Sequence, residues 1–262
     1  MDIQVISSVG HSTGQLTAPD LHNIRAHCAS CSMHDLCLPV GLTDQEVTQL
    51  DDIIRRRRRV KKGETLYRMG ERFQHLYAIR FGHFKTVQVD TTGVEQITGF
   101  QMSGELLGMD GIAADSHHCQ AVAMEDSEVC EVPFTQLEDL FREMPGLQRH
   151  FHRMMSREIT REQGVMLLLG SMRAEQRLAA FLLNLAGRYA ARGYSSTSFQ
   201  LRMTREEIGN YLGLTVESIS RLLTKFRNSG WLKAEQREIE ILNSDELKKL
   251  VSGAPADDCK HA

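Results

Sequence analysis

Apolar positions divide this chain into stretches of different period. Over residues 42–54, Val47, Leu50, Ile53 and Ile54 fall on one face at helical spacing. Thr43, with Glu46 three residues on, forms a capping box for that helix. From 65 to 133 the period becomes two. Short runs at 76–80, 84–89, 95–100, 120–124 and 128–132 predict strands, separated by turn signals at Phe81-Gly82, Thr92-Gly93 and Ser103-Gly104. Strands this short and this frequent predict a small antiparallel barrel or jelly roll. Helical period returns over 134–172, with Pro145 interrupting near the start. Phe151, Met155, Ile159, Glu162, Met166 and Leu169 are spaced 4, 4, 3, 4 and 3, a coiled-coil-like seam. The protein's own barrel or a second copy of the chain can bury such a seam. The periodicity favours a parallel homodimer through Phe151, Met155, Ile159, Glu162 and Met166. Glu162 breaks the apolar stripe and would face its own copy, where two carboxylates repel.

A second helical region begins at 173–190, with Leu178, Phe181, Leu182 and Leu185 on one face. Thr204 and Glu207 cap a short helix carrying Ile208, Tyr211 and Leu212, and Gly213 supplies a tight turn. Thr215 starts another helix, with Val216, Ile219, Leu222, Leu223 and Phe226 expected to face inward. This is a helix-turn-helix pattern. Its outward residues are Glu217, Ser218, Ser220, Arg221 and Lys225. Arginine can grip guanine N7 and O6, glutamate accepts from cytosine N4, and serine is a short adaptable partner. After Gly230, Trp231-Leu-Lys and Glu238-Ile-Glu-Ile-Leu242 predict a β-hairpin wing.

Charge and composition refine this outline. The 262 residues are 41% hydrophobic and 25% charged, ordinary for a soluble protein of roughly two domains. No apolar run approaches a spanning helix and no secretory signal pattern opens the chain, so a cytoplasmic protein with no membrane partner is expected. The net charge of −3 excludes a generally basic coat for nucleic acid, but 173–250 hold 13 Lys/Arg against 9 Asp/Glu. Arg55–Arg59, followed by Lys61 and Lys62, reads as the solvated end of the preceding helix. No aromatic or reading element accompanies it to make a nucleic-acid patch. Residues 1–20 are polar and expected to be disordered, and 251–262 read as a polar tail.

Six cysteines in such a chain argue for metal or redox chemistry over a disulfide frame. Cys28-x-x-Cys31-x5-Cys37 places three soft ligands on one loop, and Cys130 lies far downstream on an expected strand. Three thiolates leave one position for a ligand from elsewhere in the fold. By themselves the four permit zinc, an iron–sulfur centre or redox chemistry. Cys119, beside His117 and His118, reads as a loop thiol rather than a spare ligand, and Cys259 as a free thiol in the tail.

From Cys28 to Leu250 the chain resembles the FNR-type oxygen-responsive regulators of the CRP/FNR superfamily. The resemblance rests on the cysteine loop, Glu95-Gln-Ile-Thr-Gly-Phe100, Val129-Cys-Glu-Val-Pro-Phe134 and Ile208-Gly-Asn-Tyr-Leu-Gly-Leu-Thr-Val-Glu-Ser-Ile-Ser-Arg221. It implies an α+β fold: an N-terminal jelly-roll, cyclic-nucleotide-binding-like sensor domain over 21–140, a long dimerisation helix over 141–172, and a winged helix-turn-helix over 173–250. It implies that Cys28, Cys31, Cys37 and Cys130 hold one [4Fe–4S] cluster per subunit. Oxygen would convert that cluster to a [2Fe–2S] form, and the dimer would fall apart. Glu162 would then keep the cluster-free protein monomeric. The resemblance further implies that Glu217, Ser220 and Arg221 read palindromic TTGAT-type half-sites in double-stranded DNA, with Ser218 and Lys225 beside them. It also implies contact with RNA polymerase through sensor loops, and mainly activation of anaerobic genes.

Rival readings are a cyclic-nucleotide sensor, a haem sensor, a zinc-stabilised regulator and an iron–sulfur redox enzyme. The superfamily's cyclic-nucleotide cassette has an arginine for the phosphate, whereas Asp115-Ser-His-His-Cys-Gln-Ala121 has none, so no cyclic nucleotide is expected. Haem would leave the thiols unexplained. An enzyme lacks a substrate constellation, with no nucleophile elbow, phosphate-cradling glycine loop or paired carboxylates. Zinc remains compatible with four thiolates.

Overall fold

The computed structural model describes residues 27–54 and 56–253. The expectations for residues 1–20, for Arg55 and for Cys259 lie outside them. The first helix is α1 (Asp44–Ile53), capped by Thr43 and Glu46 as its sequence predicts. It is followed by β1 (Arg56–Val60), β2 (Thr65–Tyr67), β3 (His75–Phe81), β4 (His83–Val89), β5 (Glu95–Met102), β6 (Leu106–Leu107), β7 (Gln120–Ala123) and β8 (Ser127–Pro133). These strands form two four-stranded antiparallel sheets, in the orders β1-β8-β3-β6 and β2-β7-β4-β5. The arrangement is an open sandwich, so the expected barrel does not close. Val60, Tyr67, Tyr77, Ile79, Phe84 and Val129 fill the space between the sheets.

The arginine run is not a helix end. Arg56–Val60 is an edge strand paired along β8, with Arg57 opposite Cys130 and Arg59 opposite Glu128. Carboxylates on its own surface pair with it: Arg58 lies near Glu64 and Glu131, and Arg59 near Glu128. A charged edge also resists pairing with another sheet.

The helical region divides at Pro145 into α2 (Phe134–Glu143) and α3 (Pro145–Ser171), because proline fits a first helical turn and not an interior. Leu38, Leu50, Leu76, Val132, Leu137, Leu147 and Phe151 form a second core where α1, α2 and α3 close one end of the sandwich. Among the described residues no helix is long and apolar enough to cross a membrane.

The C-terminal part comprises α4 (Ala174–Ala190), β9 (Ser198–Gln200), α5 (Arg205–Leu212), α6 (Val216–Asn228), β10 (Leu232–Glu235), β11 (Glu238–Ile241) and α7 (Ser244–Ser252). The expected wing is the β10–β11 hairpin, extended by β9 into a three-stranded sheet. Residues 251–253, expected in the tail, finish and cap α7. This C-terminal part packs on β4 and β5 of the sandwich through one continuous core: Phe100 stacks edge-on to Tyr211 at 5.1 Å and lies 6.2 Å from Phe181.

Candidate metal centre and DNA interface

The cysteine loop is built from consecutive turns. The amide of Cys31 donates to the carbonyl of Cys28, that of His34 to Cys31, and that of Val40 to Cys37. Three elements anchor it. The Cys28 amide donates to Asp51 of α1 at 2.7 Å. His150 Nε2 of α3 donates to the Cys37 carbonyl at 3.1 Å. Leu36 packs on the β5–β6 turn at Gly104, whose φ of +87° favours glycine and whose missing Cβ would sit 2.9 Å from Leu36 Cβ. Leu38 is fully buried, and burying a leucine of this kind contributes roughly 1.5–3 kcal/mol.

This anchoring carries the loop to β8, where Cys130 sits on the central pair of its sheet, opposite both Arg57 and Ala78. Cys28, Cys31, Cys37 and Cys130 thus line one cavity of about 30 Å³, closed by apolar groups including Ile54 and Ala78. Burial is the main influence on the Cys28, Cys37 and Cys130 thiols. It pushes Cys37 up to about 12 and Cys130 up to about 11, and it raises Cys28 further, helped by Asp51. Arg57 and Arg80 pull Cys130 the other way. A bound metal reverses this preference, because coordination deprotonates thiols. Among the described residues no three His, Cys, Asp or Glu side chains are grouped to hold a single metal ion. The thiols ring a space instead of converging on one point. Two buried donors near Cys130, Nε of Arg57 and of Arg80, have no hydrogen-bond partner. Four soft sulfurs, an apolar wall and spare cationic donors fit an anionic iron–sulfur group. Cys119 stands apart, buried and hydrogen-bonded to Asp110 at 3.4 Å.

The DNA-reading surface is α5, the turn at Gly213 (φ +62°) and α6. Thr204 accepts from the Glu207 amide, and Glu207 accepts from the Thr204 amide at 2.8 Å. Ile219, Leu223 and Phe226 of α6 are buried, as expected. Val216 is not inward: it is 40% exposed, because it opens the helix beyond the reach of α5. Glu217, Arg221 and Lys225 are exposed, while Ser218 and Ser220 are half-buried. Thr215 donates to Ser218 Oγ at 3.1 Å, and Lys225 pairs with Glu175 of α4. Ser220 Oγ accepts from Arg205 Nη1 at 3.1 Å. Arg205 escaped the sequence reading because it lies one residue past the cap of α5, far from Ser220 in the chain.

Three contacts from Asn210 and Gln96 stitch the reader to β5. The Ile97 amide donates to Asn210 Oδ1 at 2.6 Å, Asn210 Nδ2 donates to the Glu95 carbonyl, and Gln96 Nε2 donates to the Asn210 carbonyl. Lys85 adds an ion pair with Glu207 at 2.8 Å.

The proposed seam of α3 divides in two. Phe151 is buried against Phe141 of its own subunit, and Met155 packs on the same core. Phe151 therefore offers no free surface, contrary to its place in the expected interface. Its period matched the seam, but α2 covers it first. Further along, Ile159, Met166 and Leu167 are exposed, with Glu162 exposed between them.

A β-sandwich joined by a long helix to a winged helix-turn-helix defines a DNA-binding regulator. Residues 57–144 match the family model of the cyclic nucleotide-binding domain, and residues 176–250 that of the Crp-like helix-turn-helix domain. The chain is 49% identical over 224 residues to the fumarate and nitrate reduction regulatory protein of Salmonella typhimurium, covering 86% of this chain and 90% of that protein. It is 46% identical over 229 residues to the transcriptional activator protein anr of Pseudomonas aeruginosa, covering 87% and 94%. The solved structure of FixK2 from Bradyrhizobium japonicum superposes with a TM-score of 0.68 at 29% identity, covering 74% of this chain and 96% of that one. The chain belongs to the CRP/FNR superfamily of transcription regulators; it is a DNA-binding regulator and not an enzyme.

Proposed function

We propose that this protein is an FNR-type regulator, acting in the cytoplasm, whose DNA binding is switched by an oxygen-labile [4Fe–4S] cluster on Cys28, Cys31, Cys37 and Cys130. The observation that carries this reading is the convergence of a loop and a distant strand on one cavity lined by all four thiols. The names of its relatives, a fumarate and nitrate reduction regulator and a transcriptional activator, agree with it. A bound cluster supplies oxygen sensitivity at that point. The protein's own groups do the rest. The loop grips α3 through His150 and the Cys37 carbonyl, so a shift of the loop bears on the helix that carries Ile159, Met166 and Leu167. A dimer formed along that face presents two copies of α6 to half-sites about one helical turn apart, and a monomer engages only one.

In this reading residues 21–140 are the sensor, 141–172 the dimerisation helix and 173–250 the reader. Glu217, Ser220 and Arg221 read a TTGAT-type half-site, and sensor loops meet RNA polymerase to activate anaerobic genes. The deciding experiment measures operator binding and visible absorption of anaerobically purified protein, before and after air. Iron-dependent colour that bleaches as binding falls supports the proposal. A colourless protein with stoichiometric zinc and air-independent binding overturns it.

Two substitutions extend the test. Arg221→Ala is expected to weaken operator binding by roughly 1–3 kcal/mol and to relax discrimination at one base pair, as read by binding to single-base operator variants. Glu162→Ala is expected to let cluster-free protein dimerise, because it removes the facing carboxylates from an exposed apolar stripe. Sedimentation that shows it as monomeric as the natural protein would count against a repulsive role.

A further inference from the structure

A charged strip borders the thiol cavity. Arg57 lies opposite Cys130 in the β1–β8 register, so the two side chains leave the sheet on one face. Glu128, two residues before Cys130 on β8, shares that face. Arg80 enters from β3 where its pairing with β8 shifts register, and it lines the cavity. One carboxylate serves three arginines: Arg80 Nη1 donates to Glu128 at 2.8 Å, while Nε of Arg57 and of Arg59 lie 4.0 and 3.8 Å away. The strip therefore carries more positive than negative charge. Yet Nε of Arg57 and of Arg80 is shielded from solvent and makes no hydrogen bond. A buried donor without an acceptor is costly, and more so on a charged group. Two of them beside Cys130, one of the four thiols, point to a shared anionic acceptor at that site.

Resting on the cluster reading above, we propose that Arg57 and Arg80 are outer positioning residues of the thiolate site, supplying hydrogen bonds and positive charge to the cluster-bearing sulfurs, with Glu128 fixing their orientation. Charge and hydrogen bonds around the sulfurs govern how firmly such a site holds its iron. Arg58 takes no part, since its partners are Glu64 and Glu131.

The test follows iron release under argon from protein reconstituted with iron and sulfide, using a chelator in excess. Absorbance and released iron are both read, so DNA binding does not enter. Arg57→Met and Arg80→Met are each expected to release iron ~10-fold faster than the natural protein, the scale of losing an outer partner. Arg57→Lys and Arg80→Lys, which keep the charge but lack the Nε–H donor, should fall between. Arg142→Met, at an exposed pair with Asp139, should match the natural protein and controls for net charge. Unchanged release from both methionine variants overturns the inference while leaving the cluster reading intact. If the natural protein takes up zinc and no iron, the cluster reading falls and this inference with it. Should a methionine variant fail to fold by circular dichroism, the lysine variant at that position decides: faster release supports the role, and the natural rate overturns it.

Discussion

Cys130→Ser protein is expected to stay monomeric with or without air, hold almost no iron, and keep its helix-turn-helix folded. The substitution is nearly isosteric and lies on the loop-facing side of β8. Val129, on the opposite face and fully buried between the sheets, is untouched. No residue of the reader's core touches Cys130, since that core runs from β4 and β5 through α4 to α7. The fold should therefore survive with little change. What is lost is the single thiol that joins the loop to the sheet. Three sulfurs on a loop cannot complete a four-sulfur site, so iron affinity should fall by more than the ~10–100-fold typical of outer partners. With it goes the force that sets the loop against His150 and α3. Iron content, sedimentation under argon and in air, and the unfolding midpoint check the three parts separately. Natural iron content with air-sensitive dimerisation in this variant would mean that Cys130 is not a ligand.

Local chemistry made much of this fold readable. Thr43 with Glu46 and Thr204 with Glu207 form the capping boxes their spacing predicts. Five of the sandwich strands declare themselves by alternation, because one face of each is buried, four between the sheets and β5 against the C-terminal part. The strand β1 could not be seen that way. Its residues are arginines, and only pairing with Glu128 and Glu131 from a distant strand makes them compatible with a sheet. The two-residue β6 and the three-residue β9 are too short to show a period. Of the candidate site, the four thiols were legible as a group because three share a loop and soft ligands are scarce. The arginines around them were not, since Arg57 and Arg80 meet only through sheet register. The same limit explains Phe151, whose helical spacing gives its face but not which neighbour covers it.

Glu105 shows how far tertiary placement can depart from a motif, and it supports the second large prediction. It follows Gly104 within the stretch that matches the cyclic nucleotide-binding domain, yet arginines of α3, α4 and the turn after α4 hold its carboxylate. Arg188 donates to both oxygens, at 3.1 and 2.7 Å, Arg192 donates at 2.7 Å, and Arg161 of α3 at 3.4 Å. Arg188 of α4 and Arg192 just past its end also donate to the carbonyls of Phe100 and Ser103, so the β5–β6 turn, the long helix and the reader meet at one side chain. Burial alone would raise this carboxyl, but Arg188, Arg161 and Arg192 outweigh it and hold it at about 2, against an ordinary 4.5. A depression of that size corresponds to about 3 kcal/mol. The value agrees with the low end of the ~3–5 kcal/mol lost when one partner of a buried ion network is removed. Glu105→Gln should therefore lower unfolding stability by about 3 kcal/mol at neutral pH. The sign with pH follows from the lowered value. The contribution is complete above the ordinary carboxylate range and is lost as pH falls from about 4.5 through about 2. Urea unfolding of both proteins across that range should show their difference shrinking toward acid. A difference that stays constant with pH would place the loss elsewhere than in this charge. Because the three arginines belong to α3, α4 and the turn that follows α4, the variant should also loosen the reader from the N-terminal sandwich. Its operator binding should then respond less to the state of the thiol site, even where that site is fully loaded.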